Sequence, residues 1–203
     1  MQETPASIHE FWFGKNFASL DDVGVAQQQK ALWWGKDAGL DAGMRGRFAA
    51  CLTTATAGKL DHWADTTSGL LSLVILCDQF PRNIYRAMAQ SFATDPMARR
   101  MAHLGLRRDL LPRLRPIEQV FMLMPLEHSE DLEDQNLSVQ QFEALAREVA
   151  KPWRPIFEGY ADYARRHRDV IARFGRFPHR NAILRRASTE QEIEFLKQPG
   201  SSF

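Results

Sequence analysis

Residues 67–86 read TSGLLSLVILCDQFPRNIYR. From Gly69 to Asp78 only Ser72 and Asp78 itself are polar. A surface helix keeps one apolar stripe, whereas a run that is apolar all round has no solvent side and belongs in the middle of a fold. Val74 and Ile75 would suit a strand, but Leu dominates and no other stretch of the chain alternates with period two. The reading is therefore a central helix over 67–79, stopped by Pro81, which lacks an N–H and clashes with the preceding turn. Five polar groups follow at once: Asp78, Gln79, Arg82, Asn83 and Arg86. A central helix carries them inward, so they form either a buried ion-pair clasp or the floor of a site.

Working outward, residues 7–13 (SIHEFWF) read as a short helix capped by Ser7 with Glu10, and ended by Gly14. Residues 15–40 read as a looser segment, in which Trp33 and Trp34 either anchor it to the body or line a ligand pocket. Residues 41–57 repeat apolar positions at three- and four-residue steps, with Asp41 as N-cap and Gly58 beyond the end. Residues 92–108 form another helix, capped by Thr94 or Asp95 with Pro96 in its first turn. Pro116 opens a helix with a second wide apolar run, Val120 to Met124, which Pro125 kinks or ends. Ser138 and Gln141 suggest a capping box for 139–149, and residues 155–174 make a long helix. A box at Ser188–Glu192 starts a last helix, docked by Ile193, Phe195 and Leu196, before a PGSSF tail. About eight helices and no strand signal predict an all-α fold in one domain, 1–203. Antiparallel helix pairs would stack as an irregular solenoid or bundle.

The chain has 203 residues and a net charge of +1, which argues against nucleic acid or an acidic membrane surface as partner. Twenty of the 26 basic residues are Arg, a bias that suits ion-pair networks or anion binding, although a high-GC genome produces the same bias. Cys51 and Cys77 sit in helical pattern without CxxC spacing and read as packed, reduced thiols of a cytoplasmic protein. The N-terminus has no basic segment followed by an apolar core, and no window approaches a membrane span.

Three polar clusters carry the candidate chemistry. The first is 78–86. Asp78, read at a helix C-terminus where the macrodipole disfavours a carboxylate, needs compensation from Arg82 or Arg86. Arg82 and Asn83 would alternatively present a guanidinium and an amide to an anionic ligand. The second is 125–135, where Glu127, His128 and Glu130 follow the buried run. On one helix Glu127 and Asp131 would share a face, and the carboxylate–His set is a candidate for acid–base work or a metal. It lacks HExxH and the paired ExxH of bundle di-metal sites. The third is 175–186, with Arg176, His179, Arg180 and Asn181. Its FPHRN at 177–181 repeats the FPRN of 80–83, so two Arg–Asn pairs would converge. Arg176 and Arg180 are candidates to pair with Glu127 or Glu130.

FWFG at 11–14, WWGKD at 33–37, LCDQFPRNIYR at 76–86, FATD at 92–95, MPLEHSED at 124–131, RFGRFPHRNAIL at 173–184 and the spaced ST-E-E-FL of 188–196 resemble the family known as domain of unknown function 924. The resemblance spans nearly the whole chain. It implies a bacterial, soluble, tetratricopeptide-repeat-like α-α superhelix and carries no established activity or cofactor. Arg186 departs from it, since similar proteins tend to show Gly-Arg before the Ser-Thr cap.

Three functional readings remain open at this level. One is a pocket protein that binds or acts on a small anionic molecule. Asp78, Arg82, Asn83, Arg86, Arg176, His179, Arg180 and Asn181 would then build the ligand site, and Glu127, His128 and Glu130 the chemistry. The second is a helical-repeat scaffold that holds a peptide or protein partner in a groove. The third is a metal enzyme centred on His128.

Overall fold

In the computed structural model, which describes residues 2–202, no strand occurs among the described residues. The order is α1 (Pro5–Phe13), α2 (Asp22–Trp34), α3 (Ala38–Thr56), α4 (67–84), α5 (Asp95–Arg107), α6 (Pro116–Glu127), α7 (Leu132–Glu148), α8 (Arg154–Phe174) and α9 (Glu190–Leu196). Helix α4 packs against α1, α3, α5 and α6, and α6 in turn against α2, α5, α7 and α8. The two wide apolar runs thus meet at the centre. Leu70, Leu71, Leu73, Val74, Ile75, Leu76 and Cys77 are wholly buried, as are Val120, Phe121 and Met122. Ser72, the lone polar residue within the first run, donates its hydroxyl to the carbonyls of Pro5 and Ser68, both at 2.9 Å. Burial therefore costs it no unpaired group.

Helix α4 corrects the expectation at Pro81. The helix continues past it, because residues Ile75–Gln79 widen into a π-helical turn, in which the N–H of Phe80 reaches the carbonyl of Ile75. Such turns recur at functional sites. Proline still leaves one carbonyl, that of Cys77, without its usual donor, and side chains bond the carbonyls here. Thr94 Oγ1 donates to the carbonyl of Cys77 at 2.5 Å, and Arg82 Nη1 donates to that of Asp78. Asp78 is consequently mid-helix, not at a helix end, and the macrodipole is irrelevant to it. At the start of α4 the chain passes close to its own turn: a Cβ at Gly69 would stand 2.0 Å from the carbonyl oxygen of Trp63.

Other boundaries move for identifiable reasons. Helix α1 starts at Pro5, capped by Thr4 and Ser7 reciprocally in place of Ser7 and Glu10. The segment expected to be loose contains α2, which Asp21 caps. Asp37, not Asp41, caps α3, which frees the Asp41 carboxylate for tertiary bonds. Pro125 lies inside α6 without ending it. Helix α7 begins at Leu132 under an Asp131 cap, so Ser138 is an interior, buried residue and starts nothing. Glu127 and Asp131 do not share a helix face, because α6 ends between them at His128. Thr189 and Glu192 do form the last capping box, but Ile193 is exposed and does not dock α9. Phe203 of the expected tail lies outside the described residues, as does Met1.

An aromatic cluster ties the N-terminal helices to the centre. Trp12, Phe13, Trp33 and Phe121 meet at centroid distances from 4.6 to 6.2 Å. Trp33 also donates its indole N–H to the carbonyl of Trp12 at 2.9 Å. Trp34 differs: it stacks on Phe121 at one edge yet is 46% exposed.

Candidate functional site

The π turn of α4 aims Asp78 at the end of α6. The carboxylate is fully buried, and both its oxygens face His128 Nδ1, at 2.9 and 3.0 Å. Gln79 Nε2 lies 2.5 Å from Oδ2, and Arg82 Nη1 lies 3.4 Å from Oδ1. A carboxylate only accepts, so Nδ1 carries the hydrogen and the neutral ring keeps its lone pair on Nε2. Among the described residues nothing bonds Nε2, and the ring lines a cleft of about 320 Å³. Burial opposes the ionised form of Asp78, but Arg82 and His128 outweigh it and hold the carboxyl down to about 2. Burial, with Arg82 adding to it, lowers the His128 pKa against the pull of Asp78. The pair is thus a carboxylate and a neutral imidazole at neutral pH.

Asp95, at the start of α5, joins the two repeated motifs. Arg82 forks onto it at 3.0 and 3.2 Å, and Arg180 Nη1 reaches the same carboxylate at 3.3 Å. Arg180 comes from a 3₁₀ turn, Pro178–Arg180, that follows α8, and its guanidinium is clamped between Phe92 and Phe177, 4.6 and 4.5 Å from the ring centroids. Its side chain is only 8% exposed, and its buried Nε has no hydrogen-bond partner among the described residues. Burial, and then the nearby Arg82, pull its pKa down to about 10. Phe92, Asp95, Arg99, Pro125, His128 and Arg180 surround the cleft.

The remaining expected site residues divide by role. Asn83 and Arg86 do not face the cleft or compensate Asp78: both bond Asp41, at 3.0 and 2.6 Å, and clasp α4 to α3. Arg176 pairs with Glu192 at 2.6 Å and ties α9 down, in place of Glu127 or Glu130. Asn181 is wholly buried, where it donates to Ser188 Oγ and accepts from Arg186 Nε. Glu130 borders the cleft but is held elsewhere, since Arg186 forks onto it at 2.6 and 2.9 Å and the Phe177 N–H donates to it at 2.8 Å. His179 packs on Phe177 with centroids 5.6 Å apart, and burial lowers its pKa to about 4.

Glu127, although adjacent to His128, opens on the other side of α6. It lines a separate pocket of about 300 Å³ and lies 3.2 Å from His167 Nδ1. Burial and then Asp78 raise Glu127 to about 8 against Arg82, and burial drives His167 down to about 3. Their contact is therefore one between neutral groups, not an ion pair. Nδ1 of His167 bears the hydrogen and donates it to the Tyr163 carbonyl at 2.9 Å. Among the described residues no group of three or more His, Cys, Asp or Glu is placed to hold a metal ion, so His128 is not the centre of such a set.

Sequence reading missed Asp95, taken there only as a possible helix cap, and His167, which lies within the long helix expected over 155–174. The FATD stretch at 92–95 was the one available signal, since it supplies both Phe92 and Asp95 to the Arg180 clamp.

The fold and cleft define an all-α domain in which a buried Asp–His pair, and an aspartate shared by two arginines, lie beside one cleft. Residues 8–200 match the family described as "Bacterial protein of unknown function (DUF924)", and the chain belongs to that family. It is similar to a solved structure, the protein of unknown function ATU0120 from Agrobacterium tumefaciens, at 33% identity and a TM-score of 0.79, over 95% of this chain and 96% of that one. No curated protein matches the chain. No helix among the described residues is long and apolar enough to cross a membrane.

Proposed function

We propose that the cleft binds a small anionic molecule, with Arg180 as its anion contact and His128 as a general base. The observation that carries this reading is the state of Arg180: a nearly buried guanidinium clamped by two rings, with one shared carboxylate and an orphaned Nε. A purely structural arginine in that position would be expected to have its donors satisfied, because unpaired buried donors cost free energy. Asp95 is divided between Arg180 and Arg82, so an incoming anion adds charge where the pairing is incomplete. His128 supports the chemical half of the reading. Asp78 fixes its tautomer and orientation, which leaves an unprotonated Nε2 at the wall of the same cleft. A proton removed there would be stabilised as imidazolium by the ionised Asp78.

Inorganic phosphate is the first probe, followed by histidine NMR of the whole chain. Saturable binding that shifts the His128 ring signals, is lost in Arg180→Met and survives in Arg86→Ala is the expected result. Binding that persists unchanged in Arg180→Met sinks the reading.

A further inference from the structure

The pocket on the Glu127 side is lined by none of the residues that surround the first cleft. Its walls are Trp34, Phe142, Ile156, Tyr160 and Tyr163, and its surface is predominantly apolar. Two of its residues, Trp34 and Tyr163, are among the few large hydrophobic side chains left exposed, at 46% and 53%. They lie on α2 and α8, far apart in sequence, and a folded chain gains nothing by leaving both in water around one depression. Gly159 lines the pocket on the α8 side, where a Cβ would meet nothing within 4 Å. Tyrosine phenols aside, the one ionisable lining group among the described residues is the Glu127 carboxyl, 4% exposed. Among the described residues no basic side chain lines the pocket.

We propose that this pocket binds a small organic ammonium, whose apolar body packs on the rings and whose N–H groups reach Glu127. Three features favour a cation over a neutral or acidic ligand. Aromatic faces carry negative electrostatic potential and attract ammonium groups. The carboxyl is the natural partner of an N⁺–H donor. The charges around Glu127 are Asp78 and Arg82 from α4, beside the neutral rings of His128, just after α6, and His167 on α8. Of these Asp78 acts on Glu127 more strongly than Arg82, which favours a cation beside the carboxyl. Glu127 is protonated in the empty pocket, with a pKa of about 8. A bound ammonium would stabilise its ionised form, so binding near neutral pH transfers the Glu127 proton to buffer.

Phenethylammonium and its neutral counterpart 2-phenylethanol test this on the full chain, by calorimetry in buffers of different ionisation enthalpy. The expected result is that the ammonium binds at least about tenfold tighter than the alcohol, releases protons at pH 7, and gains affinity as pH rises from 6.5 to 8. Glu127→Gln should erase the preference. Gly159→Leu should abolish binding of both probes while retaining helicity, since it fills the pocket and removes a helix-interior glycine. Arg180→Met, in the other cleft, should change nothing. Equal affinity for the two probes, no proton release, or undiminished binding in a folded Gly159→Leu variant would each overturn the assignment. Should Gly159→Leu fail to fold, Glu127→Gln and the proton count still decide it.

Discussion

At the scale of single residues, Asp78 and His128 illustrate how burial and pairing set chemistry. An aspartate with no solvent contact costs several kcal/mol unless it is compensated, and His128, Gln79 and Arg82 compensate it together. Asp78→Asn should remove the charge that Arg82 and His128 answer. We expect destabilisation of about 3 kcal/mol, read by urea unfolding, and a His128 ring whose tautomer is no longer held. Nitrogen shifts of the histidine ring check the second point: in the native chain Nδ1 should be the protonated nitrogen. The sequence names Asp78, Arg82, His128 and Arg180 as candidates because polar groups at the end of an apolar run have nowhere else to go. It could not separate them from Asn83, Arg86 and Asn181, which share their motifs. That division depends on Asp41 and Arg186, distant in sequence and close in space.

Among elements, the π turn of α4 is the decisive local feature. Proline at position 81 withdraws a donor, and Thr94, from the start of the next helix, replaces it at the Cys77 carbonyl. Thr94→Val keeps the shape and deletes the hydroxyl, leaving a buried carbonyl unpaired. The expected cost is about 1–3 kcal/mol, measured by thermal or urea unfolding; a neutral outcome would mean the turn relaxes. The link between the α6–α7 loop and the segment after α8 rests on Glu130, which takes Arg186 and the Phe177 N–H at once. Glu130→Ala should therefore speed hydrogen exchange at the Phe177 amide and weaken the Arg180 clamp, with little change at α1 or α3. From composition alone, a proline after a long apolar run signals a stop. Reading it as continuation requires knowing that a threonine 17 residues beyond Cys77 folds back to its orphaned carbonyl, which no local pattern contains.

The whole molecule should show a two-sided pH profile. His128, His167 and His179 all have pKa values lowered by burial, the last two to about 3 and 4 from an ordinary 6.5. The unfolded chain then binds more protons, so stability falls as pH drops below about 6.5. Asp78, lowered to about 2 from 3.8, adds a further loss as pH falls through that range. Glu127 acts in the opposite sense. Its pKa is raised to about 8 from 4.5, so its stabilising proton is fully in place below 4.5 and is lost as pH rises toward 8. Between about 4.5 and 6.5 the three histidines outnumber it, and above 6.5 it acts without them. Maximum stability near pH 6.5 is the expected result, from melting temperatures across pH 4 to 9. Glu127→Gln should flatten the alkaline limb and leave the acid limb intact.

The sequence by itself determined that the chain is all-α and that residues 67–86 lie at its centre. Apolar width and helical period act locally, and water enforces them wherever the chain folds. It also placed the polar clusters next to the core, since they are bonded to it covalently. Tertiary structure alone decided which polar group meets which. The FPRN and FPHRN motifs look alike as strings, and in both the arginine reaches Asp95 while the asparagine braces a neighbouring segment. Glu127 and His128 are consecutive, yet they open onto different cavities, because one residue of helix turns a side chain by about 100°. Electrostatic partnership depends on distance in space, which falls off over a few ångströms and has no counterpart in sequence separation.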